Sequence, residues 1–210
     1  TTNPLTAVLA PNPWFSIWLS PRLTIRRLLD GPPRHREHIL ATLFAVVDVL
    51  GVAVWRNWGD KYELSTIFLI AFGFAPIRMV FYLYVYPPLI SVTGRLLGGR
   101  GRVADIRIAT AWSFLPMLWL ALLWIPELAL FGGELFKSEF TVDIGWMTAA
   151  LYAFMLLEIV GLVWFIIVFV SALAEAQRFA WWHAVVNIAF AAALFVLPIY
   201  FGVTWLVGKL

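Results

Sequence analysis

The 210-residue sequence contains no cysteine and few charged residues. Without cysteine it can form neither a disulfide bond nor a thiolate metal site. Charged residues make up 13% of the chain, which is about half the share found in soluble domains. Hydrophobic residues make up 62%, and a soluble fold of this length has too little interior to bury them. The composition therefore excludes an ordinary soluble domain and indicates an integral membrane protein.

The sequence also lacks the patterns that would indicate an enzyme or a metalloprotein. It shows no Ser/His/Asp arrangement and no HExxH motif. The GGRGR run at 98–102 has no Gly-Lys-Ser/Thr of a phosphate-binding loop and favours a tight turn. His35 and His38 are not accompanied by the carboxylates of a metal site, and His183, four residues before Asn187, is more typical of a packing residue than of a ligand. We therefore predict a non-enzymatic protein without cofactor or metal.

Five apolar segments are long enough to cross a bilayer, for which a helix needs about 20 residues. They are residues 39–55, 63–97, 104–125, 146–170 and 182–207. Pro76, Pro87 and Pro88 lie in the second and longest segment and are expected to kink or break it. We interpret this segment as one bent helix, with a re-entrant segment as the alternative. The predicted fold is all-α, with five transmembrane helices in residues 39–210.

Basic residues are divided unequally between the two sets of loops that five crossings create. The first set comprises residues 1–38, 95–107 and 174–181, and the second comprises 56–63, 126–145 and the C-terminus. The first set holds ten arginines, against four basic residues in the second: Arg22, Arg26, Arg27, Arg34, Arg36, Arg95, Arg100, Arg102, Arg107 and Arg178 against Arg56, Lys61, Lys137 and Lys209. Because loops rich in arginine and lysine stay on the cytoplasmic side, the sequence predicts a cytoplasmic N-terminus and an external C-terminus.

The cytoplasmic segment 1–38 contains a second kind of helix. Ser20 can cap it and Pro21 can occupy its first position. Ile25, Leu28 and Leu29 then share one face, and arginines occupy another. We interpret it as an amphipathic helix in the membrane surface, with packing against the bundle as the alternative. The predicted interfacial and headgroup-binding residues are Trp14, Trp18, Arg22, Arg26, Arg27, Arg100 and Arg102.

Three charged residues lie inside the predicted spans, namely Asp48, Arg78 and Glu158. Counted at about 1.5 Å per residue from the helix ends, all three come close to the bilayer midplane. Charges at that depth usually face the bundle or a cavity. They either hold three helices together or serve as a proton or ion relay or a lipid-headgroup contact. Pro76, two residues before Arg78, frees a backbone carbonyl near Phe72, as in the broken helices of transporters.

Three segments resemble a known family in their order. They are NPWFSIWLSPRLTIRRLL at 12–29, RLLGGRGRVADIRIATAWSFLPML at 95–118 and ALAEAQRFAWWHAV at 172–185. Together they resemble the bacterial branch of the Yip1 family of five-helix membrane proteins. The eukaryotic members are similar to scaffolds of membrane traffic that associate with Rab GTPases and with one another. Their long N-terminal region and DLYGP motif have no match here, so Rab binding is not carried over.

The resemblance implies a membrane-organising or trafficking-type scaffold of a bacterial inner membrane. Its expected partners are lipids and a second copy or another membrane protein, and no nucleic acid. The alternative is a transporter, channel or lipid-handling protein that uses Asp48, Arg78 and Glu158. A dry bundle with paired charges would favour the scaffold, whereas an opening that reaches Arg78 would favour transport.

Overall fold

The computed structural model describes residues 12–31, 36–139 and 145–207, and the chain is helical without strands in these ranges. Two short helices come first, α1 (Pro13–Leu19) and α2 (Pro21–Asp30). Five helices of the described chain are long and apolar enough to cross a membrane. They are α3 (Glu37–Trp55), α4 (Leu64–Leu96), α5 (Val103–Phe136), α6 (Gly145–Gln177) and α7 (Trp181–Val207). The prediction of an all-α protein with five transmembrane helices is confirmed.

The N-terminal helices α1 and α2 form a hairpin that packs against the bundle. The Asn12 side chain accepts a hydrogen bond from the backbone N–H of Trp14 at 3.1 Å and so caps α1. The Ser16 and Thr24 hydroxyls, 2.8 Å apart, join α1 to α2. Ile17 and Ile25 are completely buried in the largest apolar cluster of the bundle. The structure therefore has the packed arrangement, whereas the position of these helices in a membrane surface stays a prediction.

Helix α4 is continuous although it contains three prolines. Pro76 lies inside its first α-helical part, Leu64–Val80, which it does not end. A π-helical turn, Phe81–Val85, then precedes Pro87 and Pro88. Pro87 has no N–H to donate to the carbonyl one turn upstream, at Leu83. Arg107 Nε of α5 donates to this carbonyl at 2.9 Å, so a neighbouring helix compensates for the missing backbone hydrogen bond.

Helix α5 is irregular but is also long and apolar enough to cross a membrane. An α-helical part from Val103 to Ser113 is followed by shorter helical parts up to Phe136. Pro116 and Pro126 lie in the first turn of two such parts and do not stop the helical course. The sequence predicted that this span ends near residue 125. Helix α5 is longer because its last turns pack on α3 and α4, where Phe136 is fully buried.

Candidate functional site

The carboxylate of Asp48 on α3 pairs with the guanidinium of Arg78 on α4. Arg78 Nη1 lies 3.1 Å from Asp48 Oδ2. Both side chains are partly accessible, at 25% for Asp48 and 37% for Arg78. Tyr82, one turn after Arg78, lies beside both charges. The arrangement neutralises two groups that would be expensive to expose singly to lipid, and it links two helices.

Glu158 does not join this ion pair. Its Oε1 accepts a hydrogen bond from Trp124 Nε1 at 3.0 Å, which links α6 to α5. A further carboxylate, Glu127, lies one turn after Trp124 and is only 5% exposed. Its Oε1 has no hydrogen-bond partner among the described residues. Sequence reasoning missed Glu127 because it assigned residues 126–145 to a loop; its position three residues after Trp124, on the same helical face, was the available signal.

A cavity of about 570 Å³ brings Asp48 and Glu158 to a common space between α3, α5 and α6. Its remaining lining is apolar and includes aromatic side chains from all three helices: Phe44, Trp55, Trp124 and Phe165. Arg78 is not among the residues that line the cavity, although its ion-pair partner Asp48 is. The volume lies within the range of small-molecule sites, about 300–1,000 Å³.

A second polar region lies where α4, α6 and α7 meet. Gln177 Nε2 and Asn187 Nδ2 both donate to the backbone carbonyl of Ile90, at 2.9 and 3.2 Å. Thr93 Oγ1 donates to Asn187 Oδ1 at 2.6 Å, and the backbone N–H of Gly101 donates to Gln177 Oε1 at 3.1 Å. Gln177, Asn187 and Thr93 are essentially inaccessible. This network joins the motif at 95–118 to the motif at 172–185.

Glycines make this close contact possible. A Cβ at Gly94 would overlap the amide of Gln177, and a Cβ at Gly101 would lie 2.6 Å from the carbonyl oxygen of Ala176. Gly98 has φ +83°, a conformation that side-chain-bearing residues rarely adopt. The GGRGR run therefore forms the predicted tight turn, and its backbone packs on the end of α6.

The predicted headgroup-binding arginines lie at the same end of the bundle as this turn. Arg26 Nε is 2.7 Å from Glu175 Oε1 near the end of α6, and the backbone N–H of Arg100 donates to the Gln177 carbonyl at 3.1 Å. Arg102 pairs with Asp105 at 3.1 Å. The hydrogen bond and charge of Glu175 raise the pKa of Arg26, and Asp105 does the same for Arg102. All five predicted arginines are exposed: Arg22, Arg26, Arg27, Arg100 and Arg102.

The predicted interfacial tryptophans are only partly accessible. Trp14 packs edge-on against Trp112 with ring centroids 6.0 Å apart, and Trp18 packs on the same apolar cluster.

His38 Nε2 lies 2.6 Å from the Tyr84 hydroxyl, and His35 is outside the described residues. Within the described ranges, no three His, Cys, Asp or Glu side chains are grouped as metal ligands.

A family model described as the Yip1 domain matches residues 15–205, nearly the whole chain. No curated protein matches significantly. No solved structure matches significantly either. The match covers the N-terminal helices, the five long helices and the polar network.

Proposed function

The chain belongs to the Yip1 domain family, and on this basis we propose that it is a non-enzymatic membrane scaffold whose arginine-rich end gathers anionic lipid headgroups. The observation that supports the proposal is the attachment of α2 to the bundle. Its buried face and the Arg26–Glu175 ion pair hold the helix in place. Arg22 and Arg27 therefore stay exposed at the end that also carries Arg100. Each arginine near an anionic surface contributes about 1 kcal/mol to membrane binding.

We propose further that this end faces the cytoplasm of a bacterial inner membrane, with the C-terminus outside. The excess of arginine in the corresponding loops supports that orientation. The proposed partners are membrane lipids together with a second copy of the chain or another membrane protein. Such contacts suit the long apolar helices, because α6 has exposed apolar side chains along most of its length.

The polar contacts inside the bundle also favour a scaffold. The Asp48–Arg78 pair links α3 to α4, and the network around Gln177 links α4, α6 and α7. Each of these groups is bound to a partner on another helix. Fixed interhelical contacts of this kind hold one arrangement, which is what a scaffold needs.

The cavity beside Asp48 and Glu158 favours a second candidate, a transporter, channel or lipid-handling protein. Its lining contains two carboxylates, but of the Asp48–Arg78 pair only Asp48 borders the cavity. A conducting path would need more polar groups than this lining offers. Of the two candidates, the scaffold has the stronger support, and the cavity is compatible with either.

The proposal is tested by replacing Arg22, Arg27 and Arg100 together with glutamine. The full-length protein is extracted with its surrounding lipids into polymer nanodiscs, and the lipids are measured by mass spectrometry. At about 1 kcal/mol for each arginine, the three changes should lower the preference for anionic lipids by up to about a hundredfold at low salt. Salt should weaken the wild-type preference, because these charges are exposed.

The matched control replaces Arg56, Lys61 and Lys137 with glutamine. These residues lie in the loops at the other end of the bundle, and their replacement removes the same formal charge. The control should retain the anionic enrichment. Equal enrichment in both triple variants and in the wild type would contradict the proposed role of the arginine-rich end.

A further inference from the structure

The cavity between α3, α5 and α6 has the features of a ligand site that the scaffold proposal does not require. We propose that it binds a lipophilic amine, that is, a molecule with an apolar body and one protonated amino group. The body would occupy the apolar space, and the amino group would contact Glu158. Three properties of the described cavity support this ligand class: its access from lipid, its excess of carboxylates and its aromatic walls.

The apolar lining and its position determine the body of the ligand. Apart from Asp48 and Glu158, the lining side chains are apolar or aromatic. On α6, the lining residues Met155, Ile159 and Leu162 are also about half exposed, so the cavity opens at the surface of the bundle. A molecule dissolved in the hydrocarbon region can therefore reach the cavity sideways from the bilayer. Such a route selects ligands that partition into lipid.

The charges around the cavity determine the polar group. Asp48 is neutralised by Arg78, which lies behind it. Glu158 has no cationic partner within the described chain, and its one described contact is the hydrogen bond from Trp124. Glu127, one turn after Trp124 on α5, is a further buried carboxylate on this side of the bundle. This region thus has three carboxylates for one guanidinium, and a ligand cation would neutralise part of the excess.

The aromatic walls favour a cation over a neutral hydrogen-bond donor. Trp124 lies directly beside Glu158, to which it donates at 3.0 Å, and Trp55, Phe44 and Phe165 also border the cavity. An organic cation over the face of an aromatic ring gains an electrostatic attraction that a hydroxyl group does not gain. An anionic amphiphile would meet two like-charged side chains and no base in the lining. The chemistry therefore selects amines over alcohols and carboxylic acids of the same chain length.

Dansylcadaverine is a suitable probe because it joins an apolar fluorophore to a primary amine. We expect saturable binding to the full-length protein in nanodiscs, measured by dansyl fluorescence. Dodecylamine should displace the probe at concentrations at least tenfold lower than dodecanol, which has the same chain and a neutral head. Glu158→Gln should weaken dodecylamine binding by about tenfold and leave dodecanol unchanged, because glutamine can still accept the Trp124 hydrogen bond.

Two further variants make the test decisive. Glu63→Gln removes an exposed carboxylate outside the cavity and should bind the probe like the wild type. Gly51 lines the cavity, and a Cβ built there meets nothing within 4 Å. Gly51→Leu should therefore fill the space and reduce binding of both competitors with every charge retained, which keeps the test valid even when Glu158→Gln folds poorly.

The proposal is overturned by three results. They are the absence of saturable binding, equal displacement by dodecylamine and dodecanol, and equal weakening by Glu63→Gln and Glu158→Gln. The last result would show that the probe partitions into the lipid around a charged protein. The arginine-to-glutamine triple variant should bind dansylcadaverine normally, so failure of the lipid-headgroup proposal is distinguishable from failure of this one.

Discussion

Replacing Gly94 with alanine should destabilise the bundle, whereas the same replacement at Gly73 of the same helix should not. A Cβ at Gly94 would overlap the Gln177 amide and lie 3.1 Å from Asn187 Nδ2. A Cβ at Gly73 meets nothing within 4 Å. Both changes remove the same backbone freedom from α4, so the difference between them isolates the contact with Gln177.

The expected change in the free energy of unfolding combines two destabilising effects and one stabilising effect. An extra methyl group in a packed site destabilises by about 1–3 kcal/mol. Displacement of Gln177 also weakens its hydrogen bonds to Ile90 and Gly101, each of which contributes about 0.6 kcal/mol in a membrane bundle. Alanine in place of glycine stabilises a helix by up to about 1 kcal/mol. We expect Gly94→Ala to lose about 1–3 kcal/mol, and Gly73→Ala to be neutral or gain up to about 1 kcal/mol.

Reversible unfolding in mixed detergent micelles, followed by circular dichroism, measures these differences. The double variant Gly94→Ala with Gln177→Ala provides the internal test, because a shorter side chain at 177 leaves room for the new methyl group. The double variant should therefore be more stable than the sum of the two single effects predicts. Equal unfolding midpoints for Gly94→Ala and Gly73→Ala, or strict additivity in the double variant, would refute the packing argument.

Two other predictions concern charged groups. Asp48→Asn removes the carboxylate beside Arg78, and we expect the free energy of unfolding in the same micelles to fall by about 1–3 kcal/mol. Adding Arg78→Gln should recover part of this loss. Additive losses would show that the pair does not act as a unit. Hydrogen bonds from the side chain and backbone of Ser138 lower the pKa of Asp60. Because the folded pKa is the lower one, this contact contributes stability above the ordinary aspartate pKa, about 3.9, and loses it as the pH falls through the folded value. The hydrogen-exchange protection of the Ser138 amide should decrease as the pH falls from the ordinary aspartate pKa through the folded one, and Asp60→Asn should abolish this pH dependence.

The five long helices could be predicted because apolar length is a local property of the sequence. The ends of the helices were less accessible to this reasoning. Hydropathy falls after Ile125, where Pro126 and Glu127 suggest a loop, yet α5 continues to Phe136. The missing information was tertiary, since Phe136 is buried against α3 and α4. Similarly, three prolines left open whether the segment 63–97 was one bent helix or included a re-entrant segment. The helix continues through them, and the donor that satisfies the Leu83 carbonyl is supplied by another helix.

The charged residues show a second limit. Residue counting put Asp48, Arg78 and Glu158 at a similar depth, and the structure joins only the first two in an ion pair. Depth follows from the helical rise, but the direction in which a side chain leaves its helix depends on how neighbouring helices are rotated. Gln177 was not identified at all as a functional or structural centre. Its partners Ile90 and Gly101 are distant in sequence, so no local pattern marks them.

Arg107 and Gln177 differ from Glu158 in what they bind, and this difference distinguishes a structural from a functional position. Arg107 and Gln177 donate to backbone carbonyls of α4 at Leu83 and Ile90. In a bilayer, an unsatisfied backbone group is costly, so these side chains have a sufficient structural role. The carboxylate of Glu158 satisfies no backbone group, since its described partner is the indole of Trp124. A carboxylate beside an apolar cavity, without a cationic partner in the described part of the chain, is hard to explain by helix packing, because a neutral side chain could accept the same hydrogen bond.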